Sequence, residues 1–380
     1  MTKRRPIAID LFSGVGGLGL GAEQAGFAVD AAFDCELFNV ETHRRNFPDC
    51  VCEFADLGKA SGSHLLERSN LSEETIDVLI GGPPCQGFSV GGKRDLDDKR
   101  NQLVFEYARL VREIRPRYFV MENVQGLLST HSKSILDAFV RRVKRNGYRV
   151  VEPIQVLNAA DYGVPQRRKR VFVLGYLKDL IAPKYPAPVT SKGGKGRSRR
   201  ITVRDAIIDL PRIEEYERLL TVDSFGRMPP QPRLKYAKRM RGTVRDDNDF
   251  SVARSAPLEL TGFLRTDHSP QVRKRFSEVP QGGVDSISRY IRLSWSDVAP
   301  TLRAGTGGDR GRHTAPRPIH PEMPRCITTR EAARLHSFPD WFEFHGTRWN
   351  DFRQIGNSVP PLLARAVLES IMTAVNQSQE

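Results

Sequence analysis

Ile7-Ala-Ile-Asp-Leu11, continuing as Phe12-Ser-Gly14-Val-Gly16-Gly17-Leu-Gly19, is a short apolar strand that runs into a glycine loop, with a helix predicted behind it. The spacing Gly14-x-Gly16-x-x-Gly19 permits a tight turn and lets the backbone approach a bound nucleotide closely. Asp34 follows Gly14 by twenty residues, at the end of a second predicted strand, Val29–Phe33. A carboxylate there can accept hydrogen bonds from ribose hydroxyls. NAD, FAD and S-adenosylmethionine sites all use such loops, so the loop alone leaves the cofactor open.

The surrounding pattern extends this start. Ile76–Ile80 reads as a strand ending at Gly81-Gly82-Pro83-Pro84-Cys85. Leu103, Val104, Tyr107, Leu110, Val111 and Ile114 fall on one face of a helix over Gln102–Ile114, which Pro116 stops before a strand at Tyr118–Met121. A second helix is predicted over Ser132–Arg145. Alternating strands and helices predict an α/β fold built from parallel units, a Rossmann-like domain. Beyond Tyr185 prolines, glycines and basic residues dominate, and helical periodicity returns only at Thr329–Ser337 and Leu362–Val375. The division expected is a catalytic and cofactor-binding domain over 1–184, a smaller, irregular basic domain over 185–320, and a segment over 321–380 that packs back onto the first.

Composition narrows the partners. The 380 residues carry 59 Lys+Arg against 45 Asp+Glu, a formal charge of +14. Between Ser191 and Arg245 fifteen basic residues face six acidic ones, which favours nucleic acid as the partner. Five cysteines, mostly unclustered, are no disulfide framework. No Cys/His spacing suggests a metal, and Cys50-Val-Cys52 reads as structural. With no apolar run near the roughly 20 residues of a bilayer span and no signal-peptide pattern, a cytoplasmic protein without membrane contact is expected.

Three strand ends carry candidate chemistry. Cys85 lies at the carboxyl end of the sheet in Gly82-Pro83-Pro84-Cys85-Gln86-Gly87, where glycines leave a thiolate nucleophile open to substrate. Glu122, in Met121-Glu122-Asn123-Val124, is a carboxyl that burial can hold protonated for donation to a ring nitrogen. Arg168 and Arg170, in Pro165-Gln166-Arg167-Arg168-Lys169-Arg170, can pair with phosphate or a substrate oxygen and stabilise the thiolate.

These stretches, in order, resemble the DNA (cytosine-5) methyltransferase family of the bacterial restriction-modification type. The resemblance is carried by DLFSGVGGLGLG from Asp10, GGPPCQGFS from Gly81, MENVQGL from Met121, YGVPQRRKRVF from Tyr162, RCITTREAARLHSFP from Arg325 and QIGNSVPP from Gln354. It implies a methyl transfer from S-adenosylmethionine to C5 of a cytosine flipped out of a specific duplex site, through a covalent bond from Cys85 to C6. Glu122 would serve N3, with Arg168 orienting the base and Arg170 second to it. The implied cofactor site comprises Phe12, Gly14, Gly16 and Gly17, Asp34 or Glu36 for the ribose, Asp56 for the adenine amino group, Leu103 as apolar cover, and Asn357 and Ser358. Cys35 stands where the family often has an adenine-stacking aromatic. The basic segment corresponds to the target-recognition domain, and Ser89–Asn101 to a lid over the base. Double-stranded DNA is the implied partner, a cognate endonuclease a possible companion, and a monomer the implied state. Three other readings compete with this one: a transfer-RNA cytosine-5 methyltransferase, a DNA-binding protein without activity, and a dinucleotide oxidoreductase. The intact Ile355-Gly356-Asn357 and the long basic insert argue against the first. Cys85 and Glu122 argue against the others.

Overall fold

Strand residues of alternating parity bury on both faces of one sheet, which fixes the architecture. A computed structural model describes residues 4–73, 76–84, 102–130, 132–194, 197–226, 233–253, 260–305 and 317–378. Cys85 and the proposed lid, Ser89–Asn101, lie outside the described residues. The central sheet comprises β1 (Ile7–Leu11), β2 (Ala28–Asp34), β3 (Val51–Phe54), β4 (Ile76–Gly81), β5 (Tyr118–Val124), β6 (Tyr148–Val150), β7 (Gln155–Asn158) and β8 (Lys169–Leu177). Its order is β3-β2-β1-β4-β5-β8-β6, with β7 also on β8.

The first five strands are parallel, as expected. The edge is not. β8 runs antiparallel to β5, β6 and β7, so the sheet is mixed rather than built wholly from parallel units. The physical reason is the connection: β6 and β7 reach β8 without an α-helical crossover, and parallel neighbours need one.

Ile7, Ile9, Leu11, Leu79, Phe119, Met121, Val171 and Val173 point to one face. Three helices cover it: α3 (Gly62–Arg68), α4 (Gln102–Ile114) and α5 (Lys133–Arg145). Ala8, Val78, Ile80, Tyr118, Val120, Phe172 and Leu174 point to the other face. There lie α1 (Gly17–Gln24) and, from the far end of the chain, α11 (Pro361–Gln377), while α2 (Leu37–Asn46) flanks the β2–β3 edge. The α1–α11 pair is close because Gly21 has no side chain. A Cβ there would lie 2.3 Å from the Cβ of Ala364. The helical stretch 348–377 has the length and hydropathy of a membrane span, but 67% of that window is buried within the fold.

Among the described residues, the middle of the chain contributes a two-residue strand pair, Thr190–Ser191 with Ser198–Arg199, and short helices, α6 (Val203–Ile207), α7 (Lys235–Met240) and α8 (Pro270–Glu278), before α9 (Thr329–Leu335) and α10 (Arg348–Asn357). So little regular structure leaves many carbonyls outside any ladder, and buried guanidinium groups serve several of them. Arg292 donates to the carbonyls of Phe276, Val279 and Pro321 at 2.9–3.1 Å. Arg330 serves those of Thr261, Pro339 and Phe342. Five N–H donors per guanidinium suit it to this task.

Candidate active site

Glu122 and Arg170 meet on the α1–α11 face of the sheet. In the β5–β8 register Glu122 lies opposite Phe172 and Val124 opposite Arg170, so the two side chains are diagonal neighbours on one face. Arg170 Nε is 2.8 Å from Glu122 Oε1, with both side chains largely buried. Burial raises the Glu122 carboxyl above its ordinary range, opposed by the charges of Arg170 and Arg168. The Arg170 guanidinium is lowered by the same desolvation. Asn123 Nδ2 donates to the Pro83 carbonyl at 3.1 Å, and a Cβ at Gly82 would sit 3.2 Å from Glu122 Oε2. The backbone leading to residue 85 is thereby fastened beside Glu122.

Arg168 takes a different position from the leading role expected of it. Its guanidinium is fully buried and donates to the carbonyls of Leu302 (3.0 Å), Gly356 (2.7 Å) and Ser358 (2.9 Å). It ties the end of the basic segment to the C-terminal turn, while Arg170 holds Glu122. Strand parity does not separate them, since Arg168 and Arg170 are two residues apart; what does is the start of β8 at Lys169, which leaves Arg168 outside the strand and Arg170 on the face of Phe172 and Leu174.

A second group of residues converges around the glycine loop. Phe12 adopts a left-handed φ of 54°, and Gly14 one of 55°. A non-glycine residue held there marks strain of the kind that collects at functional sites. Asp34 accepts from the Gly14 N–H (2.9 Å), the Glu36 N–H (2.9 Å) and Asn39 Nδ2 (3.2 Å). One acid therefore fixes the loop to the end of β2. Glu36 is partly exposed and pairs with Arg353 of α10 at 2.8 Å. Gly16 has φ 90° and precedes α1. Gly17 lies against the C-terminal turn, where a Cβ would come within 2.4 Å of the Val359 carbonyl and 3.0 Å of the Ser358 Cβ. Asn357 is exposed and Ser358 partly so.

At the other end Asp56 pairs with Lys59 (3.0 Å). That hydrogen bond lowers its pKa and keeps it ionised. A Cβ on Gly58 would stand 3.2 Å from Asp56 Oδ1 and 3.6 Å from Leu103 Cδ2. Cys35 is exposed. The structure thus groups Phe12, Gly14, Asp34 and Glu36 with Gly17 and Ser358, and sets Asp56 beside Leu103. No cluster of His, Cys, Asp or Glu suited to a metal occurs among the described residues.

The sequence profile of the family described as C-5 cytosine-specific DNA methylase matches residues 7–373. The chain belongs to that family. A type II methyltransferase, M.XorII of Xanthomonas oryzae pv. oryzae, is 48% identical over 377 residues, covering 99% of this chain and 87% of the relative. M.AgeI of Thalassovita gelatinovora, also a type II methyltransferase, is 34% identical over 97% of this chain and 99% of its own. Among solved structures, a protein described as a prophage-encoded DNA modification methyltransferase of E. coli aligns with a TM-score of 0.79 at 34% identity, covering 97% of this chain and 99% of that one. The S. pombe Dnmt2 methyltransferase, at TM-score 0.56 and 15% identity over 98% of this chain and all of its own, shares the fold. The protein is therefore a DNA (cytosine-5) methyltransferase with an α/β methyltransferase fold.

For a C-5 cytosine-specific DNA methylase, the charge of the middle segment is less available than its count implies. Arg199, Arg200, Arg212, Arg239, Arg241 and Arg245 are each in an ion pair with an Asp or Glu. The sequence reading also missed Arg353, Gln166 and His336. Arg353 and Gln166 act through partners more than a hundred residues away, and His336 joins Gln166, equally distant, to Ser358, 22 residues on, so no local pattern could have shown them.

Proposed function

We propose that this methylase transfers a methyl group from S-adenosylmethionine to C5 of a cytosine extruded from a specific duplex site, as the modification enzyme of a type II restriction-modification system in the bacterial cytoplasm. The buried Glu122–Arg170 pair, fastened to the strand end that leads into Cys85, carries this reading.

The residues around the glycine loop fit the cofactor. The left-handed loop is open beside Gly14, where a Cβ would meet nothing within 4 Å. The donor set of Asp34, Glu36, ionised Asp56 and exposed Asn357, with Leu103 and Phe12 as apolar surfaces, matches a ligand with a diol, an amino group and a ring. S-adenosylmethionine supplies a methyl group activated by a sulfonium charge. Asp34 or Glu36 takes the ribose, Asp56 the adenine amino group, and Gly14, Gly16, Gly17, Asn357 and Ser358 line the remainder.

Cytosine C5 is a poor nucleophile until something adds to C6. The Cys85 thiolate forms the S–C6 bond, and the electrons of the C5–C6 double bond move into the ring. Glu122, its pKa raised by burial, delivers a proton to N3, so that negative charge does not accumulate there. C5 becomes enamine-like and reactive toward the methyl group. After transfer a base removes the C5 proton, the C6–S bond breaks, and the N3 proton returns to Glu122. Arg170 keeps Glu122 aimed throughout. Arg168 supports the turn that carries Asn357 and Ser358. Residues 1–184 and 321–380 supply this machinery, and 185–320 read the duplex as a monomer. Flipping the base costs a few kcal/mol of stacking and pairing, which contacts in the closed site offset.

The test is tritiated methyl transfer to mixed-sequence duplex DNA by wild type and Cys85→Ser, with the product base identified and its site mapped by sequencing. Incorporation as 5-methylcytosine that disappears in the variant is expected. Transfer indifferent to Cys85 would overturn the covalent mechanism. Failure of the methylated site to resist any endonuclease encoded beside the gene would remove the companion enzyme.

A further inference from the structure

Four distant segments meet at one buried polar junction. Gln166 is fully buried and forms an isolated parallel bridge with Ala299. Its Oε1 accepts the Leu302 N–H at 3.0 Å. Its Nε2 is 3.2 Å from the Leu335 carbonyl and 3.0 Å from His336 Nδ1. His336, also fully buried, has Nε2 3.0 Å from the Ser358 carbonyl.

These contacts fix every proton. The Leu302 N–H needs an acceptor, so the Gln166 amide oxygen must face it and the amide nitrogen must face His336. An amide nitrogen only donates, so His336 Nδ1 accepts and the ring proton resides on Nε2, donating to Ser358. Leu302, Gln166, His336 and Ser358 form one chain in which each donor points toward the cofactor turn, an arrangement in which successive bonds polarise one another. Burial and the neighbouring Arg168 charge lower the His336 pKa, which keeps the ring neutral. A second proton on Nδ1 would face the Gln166 donor and break the chain.

Ser358 belongs to the turn lying against Gly17. Leu302 belongs to the last stretch of the basic segment. Nothing in this chain touches the reacting atoms.

We propose that His336 is a positioning residue, holding the Gly356–Ser358 turn through the Ser358 carbonyl, and that the Gln166–His336 chain couples the duplex-binding segment to the cofactor turn, so that duplex and S-adenosylmethionine bind cooperatively. This rests on the assignment of that turn to the cofactor. Coupling between sites is reciprocal, and a factor of roughly 5 to 150 is typical.

The test is calorimetric titration of S-adenosylhomocysteine into the full-length protein, free and saturated with an oligonucleotide duplex carrying the site mapped as above. Wild type is expected to bind the ligand at least about fivefold more tightly with the duplex. His336→Phe preserves bulk but removes both polar contacts. It is expected to lower that ratio to about half the wild-type value or less, the Arg168 tie to Leu302 and Ser358 remaining, and to raise the KM for S-adenosylmethionine about tenfold, with kcat within about twofold. His336→Gln places an N–H where Nε2 was and is expected to recover part of the ratio. A variant of merely structural effect would lower thermal stability and leave the ratio intact. Retention of the ratio in His336→Phe, or a ratio of one in wild type, overturns the proposal. Should His336→Phe not fold, Gln166→Met removes the amide from the same chain, and a wild-type ratio in that variant overturns the proposal equally. Absence of S-adenosylhomocysteine binding by wild type in both arms refutes the cofactor assignment instead.

Discussion

Gly21→Ala tests whether the contact between α1 and α11 is as close as described. In an exposed helix this substitution stabilises by about 1 kcal/mol through helix propensity. Here the added Cβ would stand 2.3 Å from Ala364 Cβ, 2.7 Å from the Arg365 nitrogen and 2.8 Å from the Pro361 carbonyl oxygen. Carbon atoms settle at about 3.5–4.0 Å, so the helices must separate locally by roughly 1 Å. Two of the three obstructing atoms are backbone within a helix of 17 residues, and neither can rotate aside. Overpacking of this kind costs about 1–3 kcal/mol, and the rigid neighbours place it at the upper end. Net of the propensity gain, a loss of about 2 kcal/mol is expected, or a fall in Tm of about 2.5 °C for a chain of this size. Because α11 starts three residues after Ser358, the displaced helix should also draw the turn off Gly17 and weaken S-adenosylhomocysteine binding. Differential scanning calorimetry and ligand titration measure both. Ala364→Gly in the Gly21→Ala background removes the 2.3 Å contact and should recover part of the loss. A Gly21→Ala protein as stable as wild type, with unchanged ligand affinity, would refute the packing argument.

Four further substitutions probe charges. Burial raises Asp351, which accepts from Gly346 N and Thr329 Oγ1, from 3.8 to about 7. The folded state then binds the extra proton, so stability falls as pH rises from about 4 to about 7, by up to roughly 4 kcal/mol. Asp351→Asn should flatten that slope and stabilise the protein at pH 8, and parallel pH profiles in urea unfolding would contradict this. Arg170→Gln leaves Glu122 buried without its cation. It should cost about 3 kcal/mol and lower kcat by at least about a hundredfold, whereas Arg168→Gln should act mainly on the KM for S-adenosylmethionine; the same steady-state kinetics on both variants would show the two arginines to be interchangeable. Arg334 is fully buried between Asp209 and Asp340 and donates to the Ala206 carbonyl. Arg334→Met strands two carboxylates and should lower stability by about 3–5 kcal/mol, a loss that chemical denaturation with two-state fitting would detect.

Local signals in the sequence were read well where burial repeats with a short period. The helix over Gln102–Ile114 and the strand over Ile7–Leu11 occur with the predicted bounds, because each has an apolar pattern and an adjacent stop. The candidate residues at strand ends likewise follow from chain order in an α/β sheet. The antiparallel edge was not legible, since nothing in Val171–Tyr176 records which neighbour the strand will take. The different surroundings of Arg168 and Arg170 were not legible for a related reason. Two arginines two residues apart on the same side look equivalent until the carbonyls of Leu302, Gly356 and Ser358 are brought in from elsewhere in the chain. Net charge pointed to nucleic acid but overstated the number of free cations. Formal charge counts Arg292, Arg330 and Arg334 as if they faced solvent, yet all three are buried.

The pairing of α1 with α11 also has a consequence on the ribosome. Some 340 residues separate the two helices along the chain. At a synthesis rate of about 5–20 residues per second, roughly 20–70 s pass between the appearance of the glycine loop and that of the helix that covers it. During that interval a nascent chain exposes Leu20, Ala22 and Ala25 with nothing to bury them, which makes it a client for chaperones. It also means that, until residues 358–377 have been made, the glycine loop lacks both the turn that packs against Gly17 and the helix that packs against Gly21.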